Sequence, residues 1–260
     1  MSVDDKHPAQ PIASKPRRRF IGSGLAMAGI AAGFALRPVT TLAAIKPDAD
    51  SVLLVIDVQN CFLPGGTLPV DGGNEVVPVI NALARKFDNV VLSQDWHTPQ
   101  HASFASSHVG KEPFETIELS YGTQVLWPDH CVQGSEDAKL APGLDIPHAQ
   151  LIIRKGYHSR VDSYSTFVEA DKQTPTGLTG YLRERGLSKV YACGLATDFC
   201  VSWSAIDAAA AGMEVAVIED ACRGIDLDGS VDAAWKAMSA AGIARLQSSD
   251  FAKAINTMQV

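Results

Sequence analysis

The chain has 260 residues, 46% of them hydrophobic and 20% charged, which suffices for one sizeable core. Its formal net charge is −7, and no basic stripe runs through it, which argues against nucleic acid as a partner. There is no internal repeat at a fixed period and no low-complexity tract beyond the N-terminal segment.

That segment reads as an address. Arg17-Arg18-Arg19-Phe20-Ile21-Gly22 precedes an apolar, Gly- and Ala-rich run that ends at Leu36. Arg37-Pro38 and the small-residue stretch Thr41-Leu42-Ala43-Ala44 follow. A basic start, a short apolar middle and small residues at the end make a secretory signal, and the paired arginines resemble the twin-arginine type. The run is short and glycine-rich for a spanning helix, so cleavage is expected and no stable membrane anchor afterwards. Residues 1–43 are thus expected to be the signal, 44–50 a short linker and 51–260 the functional domain. Removing residues 1–43 takes away six basic and two acidic side chains and leaves a net charge of −11. The five cysteines, Cys61, Cys131, Cys193, Cys200 and Cys222, have spacings of neither a zinc ribbon nor a disulfide framework. Their odd number predicts at least one free thiol.

The domain opens with Ser51-Val52-Leu53-Leu54-Val55-Ile56, a continuous apolar run that predicts a central parallel strand ending at Asp57. After a turn-rich loop, Asn74 is a candidate cap for a helix carrying Val76, Val77, Ile80, Leu83, Ala84 and Phe87. Residues 89–93 predict a second strand ending in Asp95-Trp96-His97. The long segment from there to Tyr121 has little periodicity and is expected to be loop with short helical turns, crossing the strand ends. Residues 150–154 predict a strand ending at Lys155-Gly156, and residues 176–185 a helix. Residues 189–194 predict a strand and 198–211 a helix; 214–218 predict a strand ending at Glu219-Asp220, and 230–241 a helix. A short last strand over 243–246 and a final helix capped by Ser249, with Phe251, Ala254 and Ile255 facing in, complete the chain. This alternation predicts an α/β fold: a three-layer α/β/α sandwich around a mostly parallel sheet of about six strands.

Parallel strands present their C-terminal ends at one edge, so Asp57, Asp95 with His97, Lys155 and Cys200 should converge there. Taken alone, the stretch around Cys200 fits a nucleophile at a helix start and a buried, inert cysteine equally well. The convergence favours the nucleophile. A carboxylate can take the thiol proton, an ammonium can lower the thiol pKa, and N–H groups at the helix start can hold an oxyanion. Together they suit acyl transfer through a thioester. Asp95, His97 and His130 are a candidate O/N ligand set for zinc, iron or manganese, although an Asp-x-His pair alone leaves the metal open. His101 and His108 lie near them in sequence.

Six segments carry a resemblance. They are Val55-Ile56-Asp57-Val58-Gln59-Asn60-Cys61-Phe62, Gln94-Asp95-Trp96-His97-Thr98-Pro99, Trp127-Pro128-Asp129-His130-Cys131-Val132, Arg154-Lys155-Gly156, Asp162-Ser163-Tyr164-Ser165-Thr166-Phe167 and Gly194-Leu195-Ala196-Thr197-Asp198-Phe199-Cys200-Val201. In this order they resemble the nicotinamidase branch of the isochorismatase-like cysteine hydrolases. The resemblance implies hydrolysis of nicotinamide to nicotinate and ammonia through a cysteine thioester. Cys200 would be the nucleophile, Asp57 the proton shuttle and Lys155 the third catalytic residue. Asp95, His97 and His130 would hold a divalent metal, zinc being favoured, that positions the pyridine ring. Phe62 and Trp127 would sandwich the ring, and Tyr164 would close the pocket. The N–H groups of Ala196 and Cys200 would form the oxyanion hole, with a cis peptide before Ala196. Cys61 stands where the family often has an acidic residue, and is expected to line the loop. The export signal is the larger departure. It implies the twin-arginine translocase as a transient partner, a periplasmic or otherwise exported enzyme, and a small-molecule amide outside the cytosol as substrate. A different small amide or ureido substrate, a non-catalytic metal-binding relative and a homo-oligomer remain alternatives.

Overall fold

The computed structural model describes residues 44–251. The proposed signal, residues 1–43, lies outside them, as do Ala254 and Ile255 of the expected final helix.

Six strands form one sheet: β1 (Ser51–Ile56), β2 (Val90–Asp95), β5 (Leu151–Lys155), β6 (Lys189–Leu195), β7 (Glu214–Arg223) and β8 (Ala244–Leu246). Their spatial order is β5-β2-β1-β6-β7-β8, and every neighbouring pair is parallel. All six residues of β1 are buried. Side chains alternate between faces along a strand, so both faces of the sheet must be covered. The helices α1 (Val76–Ala84), α2 (Leu178–Glu184), α3 (Ser202–Ala210) and α4 (Ser230–Ala240) provide that cover, with α1 and α3 both packed on β6 and β7. The expected α/β fold and strand count are therefore observed.

The chain leaves β1 toward β2 and β5, then crosses back to add β6, β7 and β8 on the other side. The strand order reverses between β1 and β6, where an open α/β sheet forms its binding crevice. Gly194 permits the close approach of these two strands: a Cβ there would lie 2.0 Å from the Ile56 carbonyl oxygen.

Several expectations need correction. The segment read as loop with short helical turns before Tyr121 does hold a 3-10 turn over Ala105–Ser107, but it also holds β3 (Thr116–Leu119), which pairs antiparallel with β4 (Gly122–Val125). Four-residue strands with one exposed face are too short to stand out by periodicity. Asn74 caps nothing: it lies inside a 3-10 turn, Gly73–Glu75, that leads into α1 without a side-chain cap bond. Strand β7 continues past Glu219 and Asp220 to Arg223, because its register with β6 shifts between Ala192 and Gly194. The chain around Cys200 is a π-helical turn, Thr197–Val201, ahead of α3. Ser249 lies in a 3-10 turn, Ser248–Asp250. Finally, Cys61 and Cys131 form a disulfide, which their spacing did not reveal; Cys193, Cys200 and Cys222 are free.

Candidate active site

Four adjacent strands deliver the site. Lys155 ends β5, Asp95 ends β2, Asp57 follows β1 and Cys200 follows β6. Asp95 and Lys155 are direct register partners. Asp57 takes a left-handed φ of 51°, which turns the chain at the strand end. The peptide between Leu195 and Ala196 is cis, as the resemblance implied.

Lys155 is completely buried and is the hub. Its Nζ lies 2.8 Å from Asp57 Oδ2, donates to the Ser163 carbonyl at 2.8 Å and lies 3.3 Å from Cys200 Sγ. It also donates to Asp95 Oδ1. Ser93 Oγ donates to Asp57 Oδ1 at 2.6 Å and accepts from the Asp57 N–H at 3.2 Å. Asp57 Oδ2 has its ammonium neighbour but no aligned hydrogen bond. Carboxylate oxygens of Asp57 and Asp95 and the Cys200 sulfur lie within 4.8 Å of one another. A buried carboxylate, ion-paired with Lys155, thus stands next to a thiol whose proton it can take.

The electrostatics fit that task. Burial, and then the Asp95 charge, outweigh Lys155 and raise Asp57 above the ordinary carboxylate range, making it a stronger base. Burial would raise Asp95 too, but Lys155 and the histidines beside it hold it well below. Burial opposes charge on Lys155 as well, yet Asp57 and Asp95 keep it firmly protonated. At Cys200 the ammonium does lower the pKa, as expected, but it does not prevail. Burial, with Asp57 and Asp95 facing it, outweighs Lys155 and pushes the thiol well up. The resting nucleophile is therefore a thiol, and a base must remove its proton.

Beside this set, Asp95, His97 and His130 are all buried and converge. Asp95 Oδ2 lies 3.6 Å from His97 Nε2 and 3.7 Å from His130 Nε2. Each histidine anchors Nδ1 on a backbone carbonyl: His97 on Gly156 at 3.0 Å, His130 on Pro128 at 2.8 Å. With Nδ1 donating, each Nε2 presents a lone pair toward Asp95, the outer-shell arrangement of metal-bound histidines. Ligands about 2.1 Å from one ion and roughly tetrahedral around it lie about 3.5 Å apart, so the spacing fits a divalent cation. His101 stacks on His97 with ring centroids 4.5 Å apart, but its nitrogens are occupied by Ser103 Oγ and the His158 carbonyl. Burial lowers its pKa to about 4, so it stays neutral. His108 is tied to the Ala102 carbonyl at 2.8 Å and joins no ligand cluster among the described residues.

The Cys200 thiol and the Asp95–His97–His130 set open into one narrow cavity. Phe62, Trp127, Tyr164 and Ala196 line it, together with Asp95, His97, His130 and Cys200. Four further lining residues, Leu68, Asp162, Phe199 and Ile225, had no assigned role. Phe199 packs edge-on to Trp127 at 4.8 Å. Asp198, two residues before the thiol, accepts the Ile225 N–H at 3.0 Å and the Asp226 N–H at 2.8 Å, tying that loop to the nucleophile turn. Gln124 of β4 was also missed. Its amide donates to Asp162 Oδ2 at 2.8 Å and to Tyr164 Oη at 2.9 Å, while Trp127 Nε1 donates to the same hydroxyl at 3.0 Å. No sequence signal marks such a residue, because its role depends on the hairpin.

A buried thiol, carboxylate and ammonium at the crevice of a parallel α/β sheet define a hydrolase-type site with a cysteine nucleophile. Residues 51–250 match the isochorismatase domain, and the chain belongs to the isochorismatase family. It is 57% identical over 204 residues to the nicotinamidase of Acinetobacter baylyi, covering 78% of this chain and 95% of that one. Among solved structures it resembles an Acinetobacter baumanii nicotinamidase–pyrazinamidase with a TM-score of 0.78 and 59% identity, covering 79% of this chain and 99% of the other. It also resembles the pyrazinamidase of Pyrococcus horikoshii in complex with zinc, with a TM-score of 0.63 and 34% identity, covering 76% of this chain and 99% of that one.

Proposed function

We propose that this protein is a nicotinamidase, hydrolysing nicotinamide to nicotinate and ammonia. One observation carries the reading: the Asp95–His97–His130 set and the Cys200 thiol open into the same aromatic-walled cavity. A ring nitrogen and a carboxamide on one small molecule can then be engaged together. Asp95, His97 and His130 would hold a divalent cation, zinc by its presence in the Pyrococcus relative, which when bound supplies a Lewis-acid anchor for the pyridine nitrogen. Phe62 and Trp127 hold the ring, and Tyr164 bounds the pocket.

In the reaction, Asp57 takes the Cys200 proton, and Sγ attacks the carboxamide carbon. The N–H groups of Ala196 and Cys200 hold the oxyanion. Asp57 returns the proton to the nitrogen, the C–N bond breaks and ammonia leaves a thioester. Asp57 then takes a proton from water and hydroxide adds to the thioester carbon; the C–S bond breaks, Asp57 returns its proton to Sγ, and the released acid loses its own proton to solvent as nicotinate. Lys155 stays protonated, fixing Asp57 and keeping it ionised.

Ammonia release from nicotinamide tests the reading. The wild-type protein should turn over and Cys200→Ala should not, while keeping its circular dichroism spectrum. Turnover by Cys200→Ala refutes the mechanism. Release from another small amide but not from nicotinamide moves the substrate and keeps the site.

We further propose that residues 1–43 direct export by the twin-arginine route and are cleaved, leaving 44–50 as a linker to the hydrolase domain. The arginine cluster, the short glycine-rich apolar run and the small residues after it support this. A substrate outside the cytosol follows. Fractionation of cells with and without Arg17→Lys/Arg18→Lys tests it; equal amounts outside the cytosol refute it.

A further inference from the structure

The mechanism makes no use of Cys61 or Cys131, yet both are completely buried and joined to each other. Their neighbours are the telling feature. Cys61 immediately precedes Phe62, an aromatic wall of the cavity, and Cys131 immediately follows His130, whose Nε2 faces Asp95. The bond joins segments 70 residues apart, with Cα atoms 5.6 Å from each other. The Phe62 and His130 rings stand 5.6 Å apart. Cys131 also holds the other histidine: its carbonyl accepts the His97 N–H at 3.1 Å. One crosslink therefore sits between a ring-binding wall and two of the three candidate ligands. The catalytic Asp57, Lys155 and Cys200 hang instead from the ends of β1, β5 and β6, which this bond does not touch.

The same two segments also share polar links through Asp137 and Lys139. Cys61 N–H donates to the Asp137 carbonyl at 2.8 Å, Asn60 N–H to the Lys139 carbonyl at 2.9 Å and Cys131 N–H to Asp137 Oδ2 at 3.1 Å. They tie both cysteine backbones to Asp137, and the disulfide adds the covalent link between the two turns.

We propose that the Cys61–Cys131 disulfide is a positioning crosslink: it sets the gap between Phe62 and His130, so that substrate and metal bind tightly only in the oxidised protein. The substrate half rests on the nicotinamidase reading; the metal half does not. Tris(2-carboxyethyl)phosphine supplies the two electrons that cleave the bond. Each sulfur gains a proton, and the phosphine becomes its oxide with an oxygen from water.

The test uses the purified full chain. Thiol titration in denaturant without reductant should find three of the five cysteines free, and all five after phosphine treatment. Reduction of the native protein should raise KM for nicotinamide several-fold at saturating Zn²⁺ and leave kcat unchanged. Zn²⁺ affinity, read by chelator competition without substrate, should fall about tenfold, the low end for losing a support behind metal ligands. Alkylation of Cys200 by iodoacetamide should keep its rate, and reoxidation should restore KM and Zn²⁺ affinity. A Cys61→Ser/Cys131→Ser variant should reproduce the reduced state and ignore the phosphine. Five free thiols before reduction, or unchanged KM and Zn²⁺ affinity with five thiols after it, overturns the proposal. A loss of kcat and Cys200 reactivity in parallel with KM also overturns it, since that is a general loosening. No turnover in the oxidised protein defeats the nicotinamidase reading, while the Zn²⁺ and alkylation measurements still judge the crosslink.

Discussion

Gly156→Ala tests the metal site without replacing a ligand. Gly156 follows Lys155 with φ of +69°, and its carbonyl anchors His97 Nδ1. A Cβ there would lie 2.6 Å from His97 Cε1 and 2.7 Å from Nδ1. Ordinary carbon contacts start near 3.4 Å, so the imidazole must withdraw by about 0.8 Å or the turn must shift. A ring moved that far carries Nε2 out of register with Asp95 and His130, or loses the Nδ1 bond that holds its lone pair inward. Losing such outer-shell support costs about 10- to 100-fold in metal affinity. The left-handed backbone adds about 1–2 kcal/mol of strain for alanine, which lowers Tm by about 2–8 °C in a domain of this size. Chelator competition reads the first effect and calorimetry the second. The expected protein is folded, somewhat less stable and starved of metal, with activity returning at high Zn²⁺. Wild-type Zn²⁺ affinity in a variant of lowered Tm would refute the argument, because the strain would then be relieved without moving His97.

Other outcomes follow from the same geometry. Lys155→Met leaves Asp57 and Asp95 buried together without a counter-charge, so stability should fall by about 3–5 kcal/mol, measured by urea unfolding, and ammonia release should vanish. Gln124→Leu strips one donor each from Asp162 and Tyr164; about 1–3 kcal/mol of lost positioning should appear in KM for nicotinamide more than in kcat, and unchanged kinetics would remove Gln124 from the pocket. The pH profile should report Asp57. Its pKa is raised, so as pH falls it gains a proton earlier than an ordinary aspartate and can no longer accept the thiol's. With metal saturating, kcat/KM should fall on the acid side with a midpoint above about 3.9; a flat profile through that region would exclude Asp57 as the base.

Much of this architecture is legible in residue order. A six-residue apolar run ending in Asp57, and later runs ending in Asp95 and Lys155, place three charged groups at one sheet edge because parallel strands leave no other choice. What escapes is whatever depends on partners distant in sequence. The β3–β4 strands have four residues each and take their identity from pairing, so Gln124 has no local mark. Cys61 and Cys131 become a pair only when the loops after β1 and β4 fold together. The protonation of Cys200 also fails to follow from its neighbours in sequence. Lys155 alone argues for a thiolate, whereas burial beside two carboxylates argues for a thiol and prevails.

The position of β5 has a thermal consequence. Among the described residues it lies at the margin of the sheet, pairs only with β2 and leaves Ile152 half in solvent, yet it ends in the catalytic ammonium. Marginal strands detach at lower free energy than central ones. Each detachment withdraws Lys155 and leaves Asp57 and Asp95 to repel each other across the thiol. On warming, the enzyme should therefore fall silent by fraying at one border while β1, β6 and β7 remain knit, so heat inactivation precedes the calorimetric transition.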